Sequence, residues 1–215
     1  MSKISINDVD KFEQAGAGEV PYFNVLKDDK DTAIVRLMYQ HEEEFYANVV
    51  HSVKVTNGDG KEFNRYVGCL APQGKPCPLC NAGYFRQIKI YIHLIYDGKY
   101  YVWERGKTMI PKIVGLFPRY GRGVNGLWSR QFEVQRNGAK GDPKTSYEFY
   151  PLDPDDKTPA DFKDFEKIDV DGSIILQWDA NKMTDFLNGI DVYNSDRDDD
   201  DVVPRNPALG GKEVF

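Results

Sequence analysis

All three cysteines of the sequence and one of its three histidines lie within thirty residues, from His51 to Cys80. Cys77 and Cys80 are separated by two residues, and Cys69 lies shortly before them. One imidazole and three thiolates are ligands that Zn²⁺ favours, and a two-residue spacing lets one tight turn supply two of them. The spacing therefore predicts one structural zinc ion bound by His51, Cys69, Cys77 and Cys80, with His41 as the alternative to His51.

The same region also matches the motif of a class of zinc enzyme. His41 and Glu43, followed by Cys77 and Cys80 after a proline, reproduce the H-x-E and P-C-x-x-C strings of nucleobase deaminases. In those enzymes the histidine and two cysteines bind zinc, and the glutamate transfers protons. Glu43, however, begins a β-type run where the deaminase motif opens a helix, and Cys69 would have no role. We therefore expect a protein without catalytic activity.

The length and composition are those of a globular protein. A chain of 215 residues can bury a full core as one domain or as one domain with appendages. Cysteines gathered at one candidate metal site imply a reducing compartment. Residues 1–18 lack the basic start and apolar run of a signal peptide, and the most apolar stretch, residues 88–96, is too short to span a bilayer. We expect a cytoplasmic protein that has no membrane partner.

Charged residues are unevenly distributed along the chain. The formal net charge of −6 combines −5 over residues 1–50, +10 over residues 51–140 and −11 over residues 141–215. The negative total therefore does not argue against a nucleic-acid partner for the basic middle of the chain. Residues 191–215 are rich in aspartate, proline and glycine and end on an apolar tip. They predict a disordered acidic tail that can recruit other proteins.

Alternation of apolar and polar residues indicates a mostly β protein with a few short helices. The predicted strands cover residues 32–39, 45–55, 63–68, 87–96, 99–105, 127–136, 145–151 and 173–178. Helical spacing is found over residues 7–14, 107–117, 159–167 and 179–190, with Asp179 as an N-cap. Asn-Gly and Asp-Gly turns predict hairpins between the second and third strands and between the fourth and fifth.

Two of these strands carry aromatic and basic residues that we expect to face solvent. Lys89, Tyr91 and His93 alternate with the isoleucines of one strand, and Tyr101, Trp103 and Arg105 alternate along the next. Rings between cations suit single-stranded nucleic acid, because bases stack on the rings and cations contact the phosphates. Further candidates follow at Lys107, Arg119, Tyr120, Arg122, Trp128 and Arg130, and Tyr84, Phe85 and Arg86 could join them. The inverse arrangement would bury Tyr101 and Trp103 in the core.

His51, Cys69 and the Cys77–Cys80 knuckle resemble the zinc site of the helix-destabilising single-stranded DNA-binding proteins of T4-like bacteriophages. In that family a histidine precedes three cysteines, the last two as C-P-x-C. The segment from Tyr101 to Lys107 is similar to the family's aromatic and basic strand, which runs into a helix. The resemblance covers roughly residues 30–135 and the acidic tail. It implies an oligonucleotide-binding (OB) fold barrel with a zinc subdomain, in a divergent relative encoded by a phage or prophage.

We accordingly expect a loose segment over residues 1–30, an OB-fold core over residues 31–190 with the zinc subdomain at about residues 46–86, and the tail. The expected function is to bind and protect single-stranded DNA, without strong sequence preference, during replication, recombination or repair in the host cytoplasm. Replication or recombination proteins are the expected partners of the tail. The alternative is a zinc-stabilised protein-interaction module, whose binding would not show the steep salt dependence of phosphate contacts.

Overall fold

The computed structural model describes residues 20–57 and 60–193, which form one large mixed β-sheet with short helices around it. The eight strands are β1 Thr32–Leu37, β2 Ala47–Thr56, β3 Glu62–Gly68, β4 Arg86–Tyr96, β5 Lys99–Gly106, β6 Arg130–Asn137, β7 Ser146–Pro154 and β8 Ile175–Leu176. The α-helices are Pro78–Asn81, Ile110–Val114, Phe117–Tyr120, Val170–Ser173 and Ala180–Leu187. Short 3-10 helices cover Glu42–Glu44, Ala71–Gln73, Lys107–Met109, Gly126–Ser129 and Pro159–Phe162.

Strand β4 is the centre of the sheet. One of its edges pairs with β2 through its first half and with β1 through its last residues, while the other edge pairs with β5. From that shared edge the sheet continues through β1 to β6 and β7 at one end of β4, and through β2 to β3 and β8 at its other end. Among the described strands only the β3–β8 pair is parallel. Among the described residues no ladder joins β5 to β7, so the sheet is open.

The β4–β5 hairpin turns at Asp97 and Gly98, which have φ angles of 47° and 68°. Two successive positive φ angles are those of a two-residue type I′ turn, which fixes the strand register. Ile92 therefore lies opposite Trp103, and Leu94 lies opposite Tyr101. Cross-strand partners share a face of the sheet, so the isoleucine face of β4 continues into the tryptophan face of β5.

The larger core packs on that shared face. It contains Ile92, Leu94 and Trp103, all fully buried, together with residues from β1, β6 and the segment after β5. We call this cluster the main core; its further members include Phe23, Leu37, Tyr39, Ile113, Leu127, Phe132 and Tyr147. Aromatic rings dominate it, and the rings of Trp103 and Tyr147 bring β5 and β7 together with centroids 4.9 Å apart.

The opposite face of the central strands is also buried. Tyr91 and Val102 pack there with Val170, Ile174 and Ile175, which arrive from late in the chain. Nearby, Phe162 and Phe165 pack over Ile95 and Trp128. Covering by these later segments explains why β4 is buried continuously from Ile90 to Ile95, as strands with two covered faces are.

A third cluster, which we call the metal-end cluster, lies under the β2–β3 hairpin. It contains Val53, Val67, Leu79 and Met183 with two of the cysteines. Met183 lies on the helix Ala180–Leu187, whose N-cap Asp179 accepts a hydrogen bond from the backbone N–H of Lys182 at 2.8 Å. This cap is the one that the sequence predicts.

The structure confirms the mostly β composition and places strands in all eight predicted regions, with shifted ends. The predicted helix over residues 107–117 is instead a 3-10 turn, Lys107–Met109, and two short helices that end at Tyr120. The predicted helix over residues 159–167 is only a 3-10 helix, Pro159–Phe162. The predicted helix at residues 7–14 lies outside the described residues, as do residues 58–59 of the first hairpin turn.

Both ends of the described chain are packed. In the segment that we expected to be loose, Val20, Phe23 and Leu26 are buried, and Phe23 pairs its backbone with Val102 of β5. At the other end Val192 and Tyr193, which begin the predicted tail, are buried in the metal-end cluster. Residues 194–215 lie outside the described part. No helix among the described residues is long and apolar enough to cross a membrane.

Candidate metal centre and nucleic-acid-binding surface

One side chain from β2 and three from the segment after β3 meet at the metal end. The ligand atoms of His51, Cys69, Cys77 and Cys80 all lie within 4.8 Å of one another. The Cys69 and Cys80 sulfurs are 3.6 Å apart, and Nε2 of His51 lies 3.5 Å from the sulfurs of Cys77 and Cys80. A tetrahedral zinc site has sulfur–sulfur edges of about 3.8 Å and sulfur–nitrogen edges of about 3.6 Å, given the usual bond lengths. The group has the size to hold one tetrahedral metal ion.

Local structure brings these ligands together. His51 lies in β2 opposite Val67 of β3, two residues before Cys69. Cys77 precedes the short helix Pro78–Asn81, whose first turn carries Cys80. The hairpin therefore supplies two ligands and the turn supplies the other two, which is how the sequence spacing predicted the site.

The second ring nitrogen of His51 orients the imidazole. Its Nδ1 lies 3.2 Å from the carbonyl oxygen of Phe85. With the proton on Nδ1, His51 donates to that oxygen, and Nε2 is left to face the sulfurs. This arrangement is the usual one around metal-bound histidines. It also ties the backbone of Phe85 to the metal centre.

The pKa shifts at the site differ among the candidate ligands. Burial lowers the pKa of His51, so its imidazole stays neutral, the form that binds a metal. Burial and the neighbouring thiols of Cys69 and Cys77 raise the pKa of Cys80 to about 12. Burial also opposes ionisation of Cys77, but hydrogen bonds from the backbone of Cys80 and Leu70 outweigh it and lower that pKa. Several adjacent thiolates repel one another, and a bound divalent cation would offset that repulsion.

The structure decides between the two histidines. His41 is exposed and precedes the 3-10 helix Glu42–Glu44, outside the four-ligand group. Glu43 is exposed in the same turn. The deaminase pairing of His41 with Cys77 and Cys80 is therefore not formed, and His51 is the fourth member of the group.

The expected aromatic surface on β4 and β5 is wrong for its central residues. We expected Lys89, Tyr91 and His93 to share a solvent face with Tyr101, Trp103 and Arg105. The register places the two sets on opposite faces, because Trp103 lies opposite Ile92. Trp103 is fully buried in the main core, as in the inverse arrangement. Tyr101 is half-buried, with its ring against those of Phe23 and Tyr96.

The other face is covered by the acidic segment that follows β7. Tyr91 and His93 are 4% and 7% exposed beneath it. His93 stacks on Tyr100 and lies 2.7 Å from its hydroxyl, and Tyr100 in turn accepts from the N–H of Ile168. Burial and the charge of Lys167 lower the pKa of His93 to about 4. Neither side chain is accessible to a nucleic acid in this structure.

Two of the expected basic residues are engaged within the protein. Lys89 forms an ion pair with Glu104 at 3.0 Å and lies over the ring of Tyr66. Arg105 lies over the rings of Trp103 and Tyr147 and donates to the Tyr147 hydroxyl. Their half-buried guanidinium and ammonium groups stabilise the packing.

The remaining candidates differ in exposure. Lys107, Arg119 and Arg122 are exposed. Tyr120 is half-buried with the guanidinium of Arg130 over its ring at 5.0 Å. Trp128 is buried and stacks on Phe162, so its expected surface role is wrong.

An uncovered strip of sheet separates the main core from the metal-end cluster. On the face that both clusters share, Ile90 belongs to the main core and Val49 packs against the metal-end cluster. Between them Ala47 is exposed, and Ile88 is 40% exposed. The cross-strand pairs Ala47–Ile90 and Val49–Ile88 place all four side chains on one face.

Arg86 continues this strip at the metal end, and Phe85 lies directly before it in the chain. Phe85 is 88% exposed, the highest value among the large apolar residues that the structure describes, and Arg86 is exposed beside it. Arg86 lies opposite His51 in the β2–β4 ladder. From the sequence, Phe85 is only an additional candidate. Its position directly before a strand, five residues after the last cysteine, was the available signal.

No protein-family model matches this chain, and no curated protein matches it. The interpretation of the site therefore rests on the chemistry of its residues.

Proposed function

We propose that this protein binds and protects single-stranded DNA without strong sequence preference, and that it acts in replication, recombination or repair. The observation that carries the proposal is Phe85, an aromatic ring 88% exposed to solvent yet tied through its backbone to the metal-ligand group. An exposed phenylalanine has an energetic cost in water that stacking on a base removes, and stacking does not depend on which base is present.

The basic residues of the middle of the chain support the same proposal. Residues 99–140 contain nine lysines and arginines and only two carboxylates. One of those carboxylates, Glu104, already pairs with Lys89. Exposed Arg86, Lys107, Arg119 and Arg122 are free to contact phosphates, and none of them has an ion pair with another described residue. Duplex DNA offers no free base faces to Phe85, so the chemistry favours a single strand.

The metal ion in this proposal is a structural Zn²⁺. Three thiolates and one imidazole are a zinc donor set, and four protein ligands leave no open position for substrate or activated water. We therefore propose that the protein is not an enzyme. Zinc would hold His51 in place, and His51 would hold the carbonyl of Phe85, so metal binding and strand binding are coupled.

The open mixed sheet with short helices is compatible with an OB-fold barrel, which we propose as its architecture. We further propose a divergent relative of the T4-like phage proteins, on the strength of the His-Cys-Cys-Cys group and the mostly β fold. The acidic tail would follow directly from Tyr193, which is packed on Phe63 at the metal end. Replication or recombination proteins are its proposed partners.

The test is fluorescence anisotropy with labelled oligo-dT and with a duplex of equal length. We expect tighter binding to oligo-dT, weakening as salt rises with a log–log slope of about −0.7 for each phosphate contact. Phe85→Ala should weaken binding by about 1–3 kcal/mol if one base stacks on the ring. Ile190→Ala is the matched control, because Ile190 is 55% exposed but lies after the last helix, at the edge of the acidic tail.

A protein-interaction module is the second candidate, favoured by the apolar character of Phe85 and Ile88. Equal affinity for oligo-dT and duplex, or no binding to either, would reject the DNA proposal and leave this candidate. If Ile190→Ala lost as much affinity for oligo-dT as Phe85→Ala, Phe85 would not be a specific contact for the strand.

A further inference from the structure

A cavity of about 480 Å³ opens where β5 and β7 fail to pair. Its walls come from the end of β5, the turn and helix that follow it, and the turn before β7. The lining residues include Arg105, Lys112, Arg136, Lys144 and Tyr147, with Met109 and Pro143 as apolar wall. The volume falls within the range of about 300–1,000 Å³ typical of small-molecule sites.

The charge of this cavity is one-sided. Its described lining contains four cations and no carboxylate. Lys112 is paired with Glu148 at the rim, but the described ion pairs include none for Arg105, Arg136 or Lys144. Arg136 is buried and Arg105 is half-buried. The carboxylates of Asp31 and Glu104 act on them without forming an ion pair with either. Buried cations that lack an ion pair are costly, so the site favours an anion.

The two arginines converge on one oxygen atom. Arg105 and Arg136 each donate to the Tyr147 hydroxyl at 2.9 Å. The Nε of Arg105 is buried and has no hydrogen-bond partner among the described residues. Burial lowers the pKa of Arg105, and the charge of Arg136 adds to this effect. Arg136 is also bonded to the turn at Gly138, Ala139 and Thr145, so it is rigid, whereas Arg105 retains unused donor capacity.

We propose that this cavity binds a phosphate group carried by a molecule of about nucleotide size. A phosphate offers several acceptor oxygens to an arginine fork and a lysine at once, and the hydroxyls of Thr108 and Ser146 line the same cavity. Met109 and Pro143 leave an apolar surface for the organic part. The source is either a free nucleotide or the terminal phosphate of a strand. This inference does not depend on the proposed DNA contact at Phe85.

The experiment is isothermal titration of the full-length zinc-loaded protein with dTMP and, as reference, thymidine. We expect dTMP to bind at least tenfold more tightly than thymidine. Lys144→Gln should weaken dTMP binding about fivefold, as expected for one lost charge near a surface, while leaving the fold intact because Lys144 is exposed. Arg105→Lys keeps the charge but loses the fork, and should weaken binding as well.

Lys140→Gln is the matched control, because Lys140 is an exposed lysine on the same turn outside the cavity. Equal binding of dTMP and thymidine, or equal losses in Lys144→Gln and Lys140→Gln, overturns the proposal. Competition between dTMP and 5′-phosphorylated oligo-dT, but not the unphosphorylated strand, identifies the strand end as the source. Simultaneous binding identifies a free nucleotide. Phe85→Ala should leave dTMP affinity unchanged, so failure of the strand-binding proposal is measured separately.

Discussion

Trp103 in the main core and Phe85 at the metal end are held in place by different means. The main core buries eighteen described residues, and rings such as Trp103 are fixed there because other rings surround them. The metal-end cluster is smaller, with eleven buried residues of which two are candidate metal ligands. There Phe85 is fixed through its backbone and remains exposed. Packing holds a ring by burying it, whereas the contact with His51 fixes the backbone of Phe85 and leaves its ring exposed.

The largest expected effect comes from removing the metal. His51→Ala should abolish stoichiometric zinc binding and unfold the β2–β3 hairpin locally, because structural zinc contributes about 10–16 kcal/mol in small zinc domains. Amide hydrogen exchange should show lost protection in β2 and β3 while the β4–β5 hairpin near Trp103 stays protected. His41→Ala is the control and should retain zinc, since His41 is exposed outside the ligand group. If His51→Ala lost protection in the β4–β5 hairpin as well, the two regions would not be stabilised independently.

The next effect concerns the main core. Trp103→Ala should destabilise the protein by about 3–5 kcal/mol, the usual cost of truncating a fully buried aromatic residue. Phe85→Ala should change stability by less than about 0.5 kcal/mol, because its side chain has little packing to lose. Urea unfolding measures both. If Trp103→Ala lost DNA affinity and kept its stability, the buried assignment of Trp103 would be contradicted.

Trp103 and Phe85 also show what could and what could not be predicted from the sequence. Alternation located the strands, and the cysteine spacing located the metal ligands, because both patterns are local. The register of the β4–β5 hairpin was also available, since the Asp97-Gly98 turn places Trp103 opposite Ile92. Applying it would have assigned Trp103 to the isoleucine face.

Burial of the other face was not available from local pattern. Tyr91 and His93 alternate with isoleucines as surface residues do. Tyr91 is buried because Val170, Ile174 and Ile175, some eighty residues later, pack against it, and His93 lies against Tyr100 and near Lys167. Such covering depends on the path of the chain, which alternation within a strand does not encode. Likewise, Phe85 is exposed because no described segment of the chain covers it, and alternation does not encode this either.

Acid should destabilise the β4–β5 hairpin through the protonation of His93. The native pKa of His93 is about 4, below the value of about 6.5 in an unfolded chain. The unfolded state therefore binds a proton first, and stability falls as the pH falls from about 6.5 to 4. We expect a loss of about 2 kcal/mol between pH 7 and pH 5 from this group.

Urea unfolding at both pH values, with zinc present, measures that loss. His93→Gln removes the titrating group and should show a smaller dependence on pH than the wild type. His51 also has a lowered pKa, so hydrogen exchange is needed to assign the change to the β4–β5 hairpin and not to metal release. An unchanged pH dependence in His93→Gln would show that His93 does not cause the loss of stability.

The smallest expected effect lies in the helix that supports the metal end. Asp179 caps Ala180–Leu187, and Met183 of that helix lies 3.9 Å from the Cys77 sulfur. Asp179→Ala should cost about 1 kcal/mol, the usual value of an N-cap. Asp185→Ala, near the other end of the helix, removes a carboxylate from a position that the helix dipole disfavours and should not destabilise. Zinc affinity measured by chelator competition should fall slightly in the first variant alone. Equal behaviour of the two variants would mean that the metal ligands, not the helix packing, determine the position of Cys77.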